Sequence, residues 1–287
     1  MDLWNGSEVR GAVLARNLKT GRDDRHTNAI AVGDEVEVED SGPGALRVVA
    51  RRPRRSFLER ATGDRDGKTQ VVAANAARAV IVSSVAEPPF RPGLVDRWAL
   101  LARRGGMTPV LCLNKSDLAT PEEAARAIAE AAIPLEAVTV SATTGAGIDR
   151  LQAMLAHSVS VLVGHSGVGK STVLRCLVPG ADALTGEISA KNRKGRHTTA
   201  SARLYALPEG GVVVDTPGVR SVPLGHTEPS EVAAVFAEIA NAPPCRFRSC
   251  THRSEPGCSV LAGLEEGTIP EVVYTRYRKL LEEARIR

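Results

Sequence analysis

Gly164-His165-Ser166-Gly167-Val168-Gly169-Lys170-Ser171 reads G-x-x-x-x-G-K-S, with Thr172 directly after it. Glycines at this spacing let backbone N–H groups approach phosphate oxygens, and a helix opening at Lys170 adds the positive end of its dipole. Lys170 is expected to reach the β- and γ-phosphates, and the Ser171 hydroxyl to ligate Mg²⁺. Asp215-Thr216-Pro217-Gly218 follows the apolar run Val212-Val213-Val214. It fits a strand-end acid that holds Mg²⁺ and a glycine, Gly218, that faces the γ-phosphate. On its own D-x-x-G also describes a plain turn. Asn114-Lys115-Ser116-Asp117 reads N-K-x-D. A buried Asp117 carboxylate could accept the N1–H and exocyclic amine of guanine, a donor pair that adenine lacks, and such sites discriminate strongly. Asn114 and Lys115 would buttress the loop and pack on the base. The plainer reading has Ser116 or Asp117 capping the next helix. Ser141-Ala142-Thr143 could offer backbone to the guanine carbonyl oxygen.

Between the phosphate loop and Asp215 lies Gly195-Arg196-His197-Thr198-Thr199. A threonine that ligates Mg²⁺ is expected in this interval, Thr199 first and Thr198 second, on a loop ordered by the γ-phosphate. After Gly218 comes Val219, where a Ras-type enzyme places Gln to orient the attacking water. Slow unassisted hydrolysis follows as an expectation, with a partner completing the site. His197 is the nearest group able to orient or deprotonate water. An exposed loop histidine with no catalytic part fits the residue type equally well.

Cys245, Cys250, His252 and Cys258 form a second constellation. Three thiolates and an imidazole within fourteen positions suit a closed tetrahedral Zn²⁺ site, structural rather than catalytic. Arg246, Arg248 and Arg253 decorate this loop, as an RNA-facing knuckle or as solvated surface. Cys112 and Cys176 read as ordinary buried thiols.

The elements that must hold these residues follow from apolar patterning. Ala79–Val82, Val110–Leu113, Val138–Val140, Val159–Val163 and Val212–Val214 are strand candidates, each running into a motif or alternating with helical stretches such as Pro121–Ala132 and Lys170–Leu177. That alternation predicts a parallel sheet covered on both faces, with ligands at the strand C-terminal ends. Ahead of it, short strands at Val9–Val13, Ala29–Val32, Val36–Val38 and Leu46–Val49 predict a small β-barrel. An OB-fold is one such barrel, among others. Behind it, helices are expected at Glu231–Ala240 and Glu271–Ala284 around the cysteine loop. The base-reading motif precedes the phosphate loop, the reverse of the usual GTPase order.

The chain has 287 residues, 43% apolar but only 3% aromatic, so Ala, Val and Leu must fill the core. Its net charge of +4 is too small to imply nucleic acid by itself. Charge is clustered, however: seven arginines lie between Arg47 and Arg65, and Lys191, Arg193, Lys194 and Arg196 form a second run. Such clusters can neutralise phosphates or be solvated surface. No apolar stretch approaches the ~20 residues of a membrane span, and the start lacks the regions of a signal peptide. A cytoplasmic protein without membrane attachment is expected. Two other functions fit parts of the pattern. One is a P-loop ATPase or kinase in which residues 114–117 are only a helix cap. The other is a zinc-dependent RNA-binding protein whose P-loop domain is weakly active.

Taken together, a small barrel, a rotated GTPase and a Cys3His loop resemble the RsgA (YjeQ) family of circularly permuted ribosome-biogenesis GTPases. The resemblance rests on Asn114–Asp117, Gly164–Ser171, Gly195–Thr199, Asp215–Gly218 and the four Cys/His residues, with support from 53–60 and 85–93. It implies an OB-fold barrel over 1–55, a basic connector over 56–72, a permuted GTPase domain over 73–226 and a mostly helical zinc domain over 227–287. It further implies one structural zinc, magnesium with GTP, and binding of the small ribosomal subunit and its rRNA. Hydrolysis of GTP to GDP would be stimulated by that subunit and would assist its late maturation. The chain is expected to act as a monomer.

Overall fold

The computed structural model describes residues 1–5, 9–20, 26–42, 46–61, 69–181, 202–216, 223–225 and 227–285. At its centre is a six-stranded sheet. Its strands are β7 (Arg78–Ser84), β8 (Thr108–Asn114), β9 (Glu136–Thr139), β10 (Val159–Gly164), β11 (Arg203–Ala206) and β12 (Val212–Asp215), in the order β11-β12-β10-β7-β8-β9. Every pair is parallel except β11–β12 at one edge. Alternate residues of each strand sort to opposite faces. Ala79, Ile81, Val161 and Val163 join a cluster on one face, and Val80, Val82, Leu162 and Val213 join the other. Both faces are therefore buried, which is why these strands read as unbroken apolar runs.

Helix α1 (Pro92–Arg104) covers the first face. α2 (Pro121–Ala129) flanks β8, while α3 (Ile148–Leu155) and α4 (Lys170–Leu177) cover the second face. Thr120 and Glu123 bond reciprocally at the start of α2, so neither Ser116 nor Asp117 caps it. The helix ends at Ala129 rather than Ala132. Beyond it, the N–H groups of Ala132 and Ile133 donate to the Asp96 carboxylate of α1, at 3.1 and 3.3 Å.

The N-terminal region forms a curled four-stranded sheet in the order β1-β2-β4-β3: β1 (Asp2–Trp4), β2 (Val9–Lys19), β3 (Val36–Asp40) and β4 (Leu46–Arg51). Ala29–Val32 is not a strand; it makes a single bridge, Val32 to Ala73. Residues expected as a connector instead hold the hairpin of β5 (Phe57–Ala61) and β6 (Thr69–Ala74). Leu58 and Ala73 of that hairpin share one buried cluster with Trp98 of α1.

The C-terminal helices are α5 (Pro229–Ala234), α6 (Ala237–Ala240), α7 (Ser259–Glu265) and α8 (Glu271–Arg285). The sequence pattern ran continuously over Glu231–Ala240, but the backbone is extended at Phe236 (φ −96°, ψ 109°). That break drops the fully buried Phe236 edge-on to Tyr277, with centroids 6.0 Å apart. Phe236 and Tyr277 belong to the same cluster as Val95 and Trp98, so the C-terminal helices share the core of α1.

Candidate functional site

Each motif sits where a parallel strand ends. β8 delivers Asn114, β10 delivers Gly164, and β12 delivers Asp215. The fully sequestered Asn114 joins three loops. Its Nδ2 donates to the Val168 carbonyl of the phosphate loop at 3.0 Å, and its Oδ1 accepts the Ala142 N–H at 3.0 Å. The base-reading loop, the phosphate loop and the Ser141-Ala142 segment are thus held as one unit. Gly169 stands at φ +90°, and a Cβ there would lie 2.3 Å from Asn114 Nδ2. Gly164 is as constrained, because a Cβ would meet the Val82 carbonyl oxygen at 2.4 Å. Only glycine fits either place.

Lys115 adopts the left-handed region at φ +64° and sends its ammonium to the Glu87 carbonyl. Ser116 and Asp117 open a short 3-10 turn. The Ser141 hydroxyl donates to Asp117 Oδ1 at 2.5 Å and accepts the Thr144 N–H at 3.1 Å. Asp117 is exposed rather than buried, with its carboxylate at the rim of the site. A base covering it would desolvate it. At the other end, Lys170 is buried and ion-paired with Asp215 across α4 and β12. Ser171 is exposed in the first turn of α4, Thr172 is half-buried behind it, and His165, Ser166 and Gly167 form the outer lip of the loop. His197, Thr198, Thr199, Gly218 and Val219 lie outside the described residues, as do Lys191, Arg193, Lys194 and Arg196.

Cys245, Cys250, His252 and Cys258 bring their four donor atoms within 4.8 Å of one another. Cys245 Sγ lies 3.9 Å from Cys258 Sγ and 3.6 Å from His252 Nδ1, and that nitrogen lies 3.4 Å from Cys258 Sγ. Zn–S bonds of about 2.3 Å and Zn–N bonds of about 2.0–2.1 Å put tetrahedral edges at roughly 3.8 Å for S–S and 3.5 Å for S–N. Cys245, His252 and Cys258 have the spacing of ligands around a zinc-sized cation, and Cys250 lies within 4.8 Å of all three. Burial, then the neighbouring Cys258 and Cys245 sulfurs, push the Cys250 thiol up to about 12. A cation replacing that proton would remove the conflict.

Residues that the sequence motifs did not single out shape this loop. Glu255 turns its carboxylate onto the Thr251 N–H and hydroxyl, the Arg253 N–H and the Ser254 N–H, all at 2.7–3.0 Å. Burial pushes that carboxyl up, but these donors outweigh it and hold it far below the usual carboxylate range. Tyr274 and Tyr277 of α8 donate to the carbonyls of His252 and Thr251 at 2.8 and 3.0 Å. A lone acid in an arginine-bearing loop was the available signal for Glu255. The tyrosines had none, being more than twenty positions away.

The family model described as RsgA GTPase matches residues 51–225. The chain belongs to this family. The RsgA GTPase family is one of GTP hydrolases, whose substrate is the magnesium complex of GTP. Two relatives carry the name small ribosomal subunit biogenesis GTPase RsgA. The one from Chromohalobacter salexigens is 39% identical over 297 residues, covering 96% of this chain and 86% of its own length. The one from Azotobacter vinelandii is 42% identical over 279 residues, covering 96% and 79%. The crystal structure of YjeQ from Thermotoga maritima superposes with a TM-score of 0.72 at 28% identity, covering 98% of this chain and 91% of that one. YloQ, titled a circularly permuted GTPase, shares the fold with a TM-score of 0.67 at 23% identity. The barrel sheet, the permuted α/β domain and the C-terminal Cys3His region are the architecture of this RsgA family member. Among the described residues no helix is long and apolar enough to cross a membrane.

Proposed function

We propose that this chain binds the small ribosomal subunit, hydrolyses GTP to GDP when that subunit stimulates it, and so assists the subunit's late maturation. The observation that carries the reading is Asn114. Its two side-chain bonds join the Asn114–Asp117, phosphate and Ala142 loops, the arrangement that a guanine nucleotide site requires. Relatives along nearly the whole chain are named for that ribosomal role.

Within this reading Asp117 reads guanine, supported by Ser141, Ala142 and Lys115. The loop from Gly164 to Ser171 and Thr172 cradles the phosphates, and Lys170 neutralises charge developing on the β- and γ-phosphates. Ser171, Asp215 and Thr199, with Thr198 the alternative, hold Mg²⁺, and Gly218 faces the γ-phosphate. His197 orients the attacking water. Val219 carries no group able to do so, which makes the subunit the natural trigger. Cys245, Cys250, His252 and Cys258 hold one structural zinc. The barrel of 1–55 and the zinc region of 227–287 grip rRNA on either side of the GTPase domain of 73–226, and the stretch between 55 and 73 is bridged by the β5–β6 hairpin rather than by a bare connector. The protein works as a monomer in the cytoplasm.

Sedimentation with purified small subunits tests this reading. Co-sedimentation should be tight with a non-hydrolysable GTP analogue, weaker with GDP, and should fall as salt rises. Equal affinity in the two nucleotide states would contradict nucleotide-controlled binding of the subunit.

A further inference from the structure

The metal loop leaves one side chain without a structural task. In a chain poor in aromatics, Phe236 is buried and Phe57 and Phe90 are half-buried, but Phe247 is 45% exposed. It stands between the ligand residues Cys245 and Cys250, and its backbone is fixed from both sides. The Cys250 N–H donates to the Phe247 carbonyl at 3.2 Å, and the Arg246 N–H donates to the Gly257 carbonyl at 3.1 Å across the loop. Gly257 lets the arms approach: a Cβ there would lie 3.1 Å from Arg246 Cβ, at φ +72°. The Arg246 guanidinium sits 5.6 Å from the ring centroid and covers one face. Arg248 and Ser249 are exposed beside it, and residues 243–250 contain no acid. Glu255 turns inward onto Thr251, Arg253 and Ser254.

A flat apolar ring between two cations, on a turn pinned by metal ligands, has the recognition chemistry of an unpaired nucleotide. A base stacks on the ring and the adjoining phosphates meet the guanidinium groups. An apolar protein surface would be a poorer match, because two exposed arginines would have to be desolvated with the ring. We propose that Phe247 is a base-stacking platform that takes one unpaired base of the small subunit's RNA on the face opposite Arg246. Arg248 meets the neighbouring phosphate. This rests on the ribosomal reading above and gives it a point of contact.

The test uses the full chain loaded with a non-hydrolysable GTP analogue and titrated with purified small subunits at several salt concentrations. Phe247→Ala should weaken binding about 5- to 150-fold, the loss of one base–aromatic stack, with the salt slope unchanged. Phe247→Leu should be nearly as weak, because it keeps apolar bulk but has no π face, whereas Phe247→Trp should bind at least as tightly as wild type. Arg248→Gln should lower the log–log salt slope by roughly 0.7–0.9, one phosphate contact. Wild-type affinity in Phe247→Leu would overturn the stacking and point to an apolar protein contact. Wild-type affinity in Phe247→Ala, or a weakened Phe247→Trp, would overturn it as well. If the unaltered chain fails to bind small subunits, the ribosomal reading falls and takes this inference with it. If it binds and the Phe247 variants match it, only the stacking is lost.

Discussion

At the residue scale, nucleotide selectivity rests on few atoms. An Asp117→Asn substitution reverses one of the two hydrogen bonds offered to guanine, so GDP affinity should fall at least about 100-fold. Xanthosine diphosphate, whose base carries an acceptor where guanine carries an amine, should gain in the same competition assay. Unchanged GDP affinity would contradict Asp117 as the base reader. Gly169→Ala tests the joint around Asn114. The new Cβ meets Asn114 Nδ2 at 2.3 Å in a φ +90° backbone. Strain of about 1–3 kcal/mol should cost about 5- to 150-fold in GDP affinity, read by fluorescence titration. The motifs stand out in the sequence because phosphate and guanine recognition would constrain both residue type and spacing. Asn114 as the joint between three loops was not, since its partners Val168 and Ala142 contribute backbone atoms and backbone carries no residue-type signal.

At the element scale, α1 does more than cover a sheet face. Its buried Asp96 accepts the Ala132 and Ile133 N–H groups and pairs with Arg276 of α8 at 3.4 Å. Desolvation outweighs Arg276 and these backbone donors and pushes the carboxyl up to about 6. The folded state therefore binds this proton more tightly than the unfolded chain does. The group's contribution to stability is fully present below about pH 4 and is lost as pH rises through about 6, on the order of 3 kcal/mol. Urea denaturation of wild type and Asp96→Asn at pH 4 to 7 reads it. The difference between the two should tilt towards the variant as pH rises, and a pH-independent difference would contradict it. Apolar runs gave the central strands almost to their ends, because burial on both faces leaves no polar alternation to confuse. The end of α2 and the break at Phe236 depended on tertiary partners, Asp96 and Tyr277, that no local window contains. The β5–β6 hairpin was hidden by its arginines, which read as a connector although Arg60 bonds Gln70 across the strands.

At the scale of the molecule, one side chain spans the joints that the rotated motif order creates. Arg104, at the end of α1, donates to Glu59 of the β5–β6 hairpin at 2.5 Å, and to the Leu224 carbonyl and Thr227 hydroxyl at 2.9 and 2.5 Å. Burial pushes the Glu59 carboxyl up, but Thr69, Arg104 and His26 outweigh it and hold it below the usual carboxylate range. Leu224 and Thr227 follow β12 in the chain and precede the C-terminal helices, so Arg104 ties α1, the β5–β6 hairpin and the approach to those helices together. Arg104→Ala should lower stability by about 3 kcal/mol, seen in the denaturant midpoint. At a temperature where the variant stays folded, it should reduce subunit-stimulated GTP turnover more than the unassisted rate. An equal loss in both rates would make Arg104 a purely structural contact. In the permuted order the half with Asn114–Asp117 follows the barrel in the chain, and the half with the phosphate loop and Asp215 runs into the Cys3His region. The most direct measurement is GTP turnover by the purified chain alone, with small ribosomal subunits, and with large subunits. The account predicts slow turnover alone, strong acceleration by small subunits and none by large ones. Turnover indifferent to small subunits would contradict it.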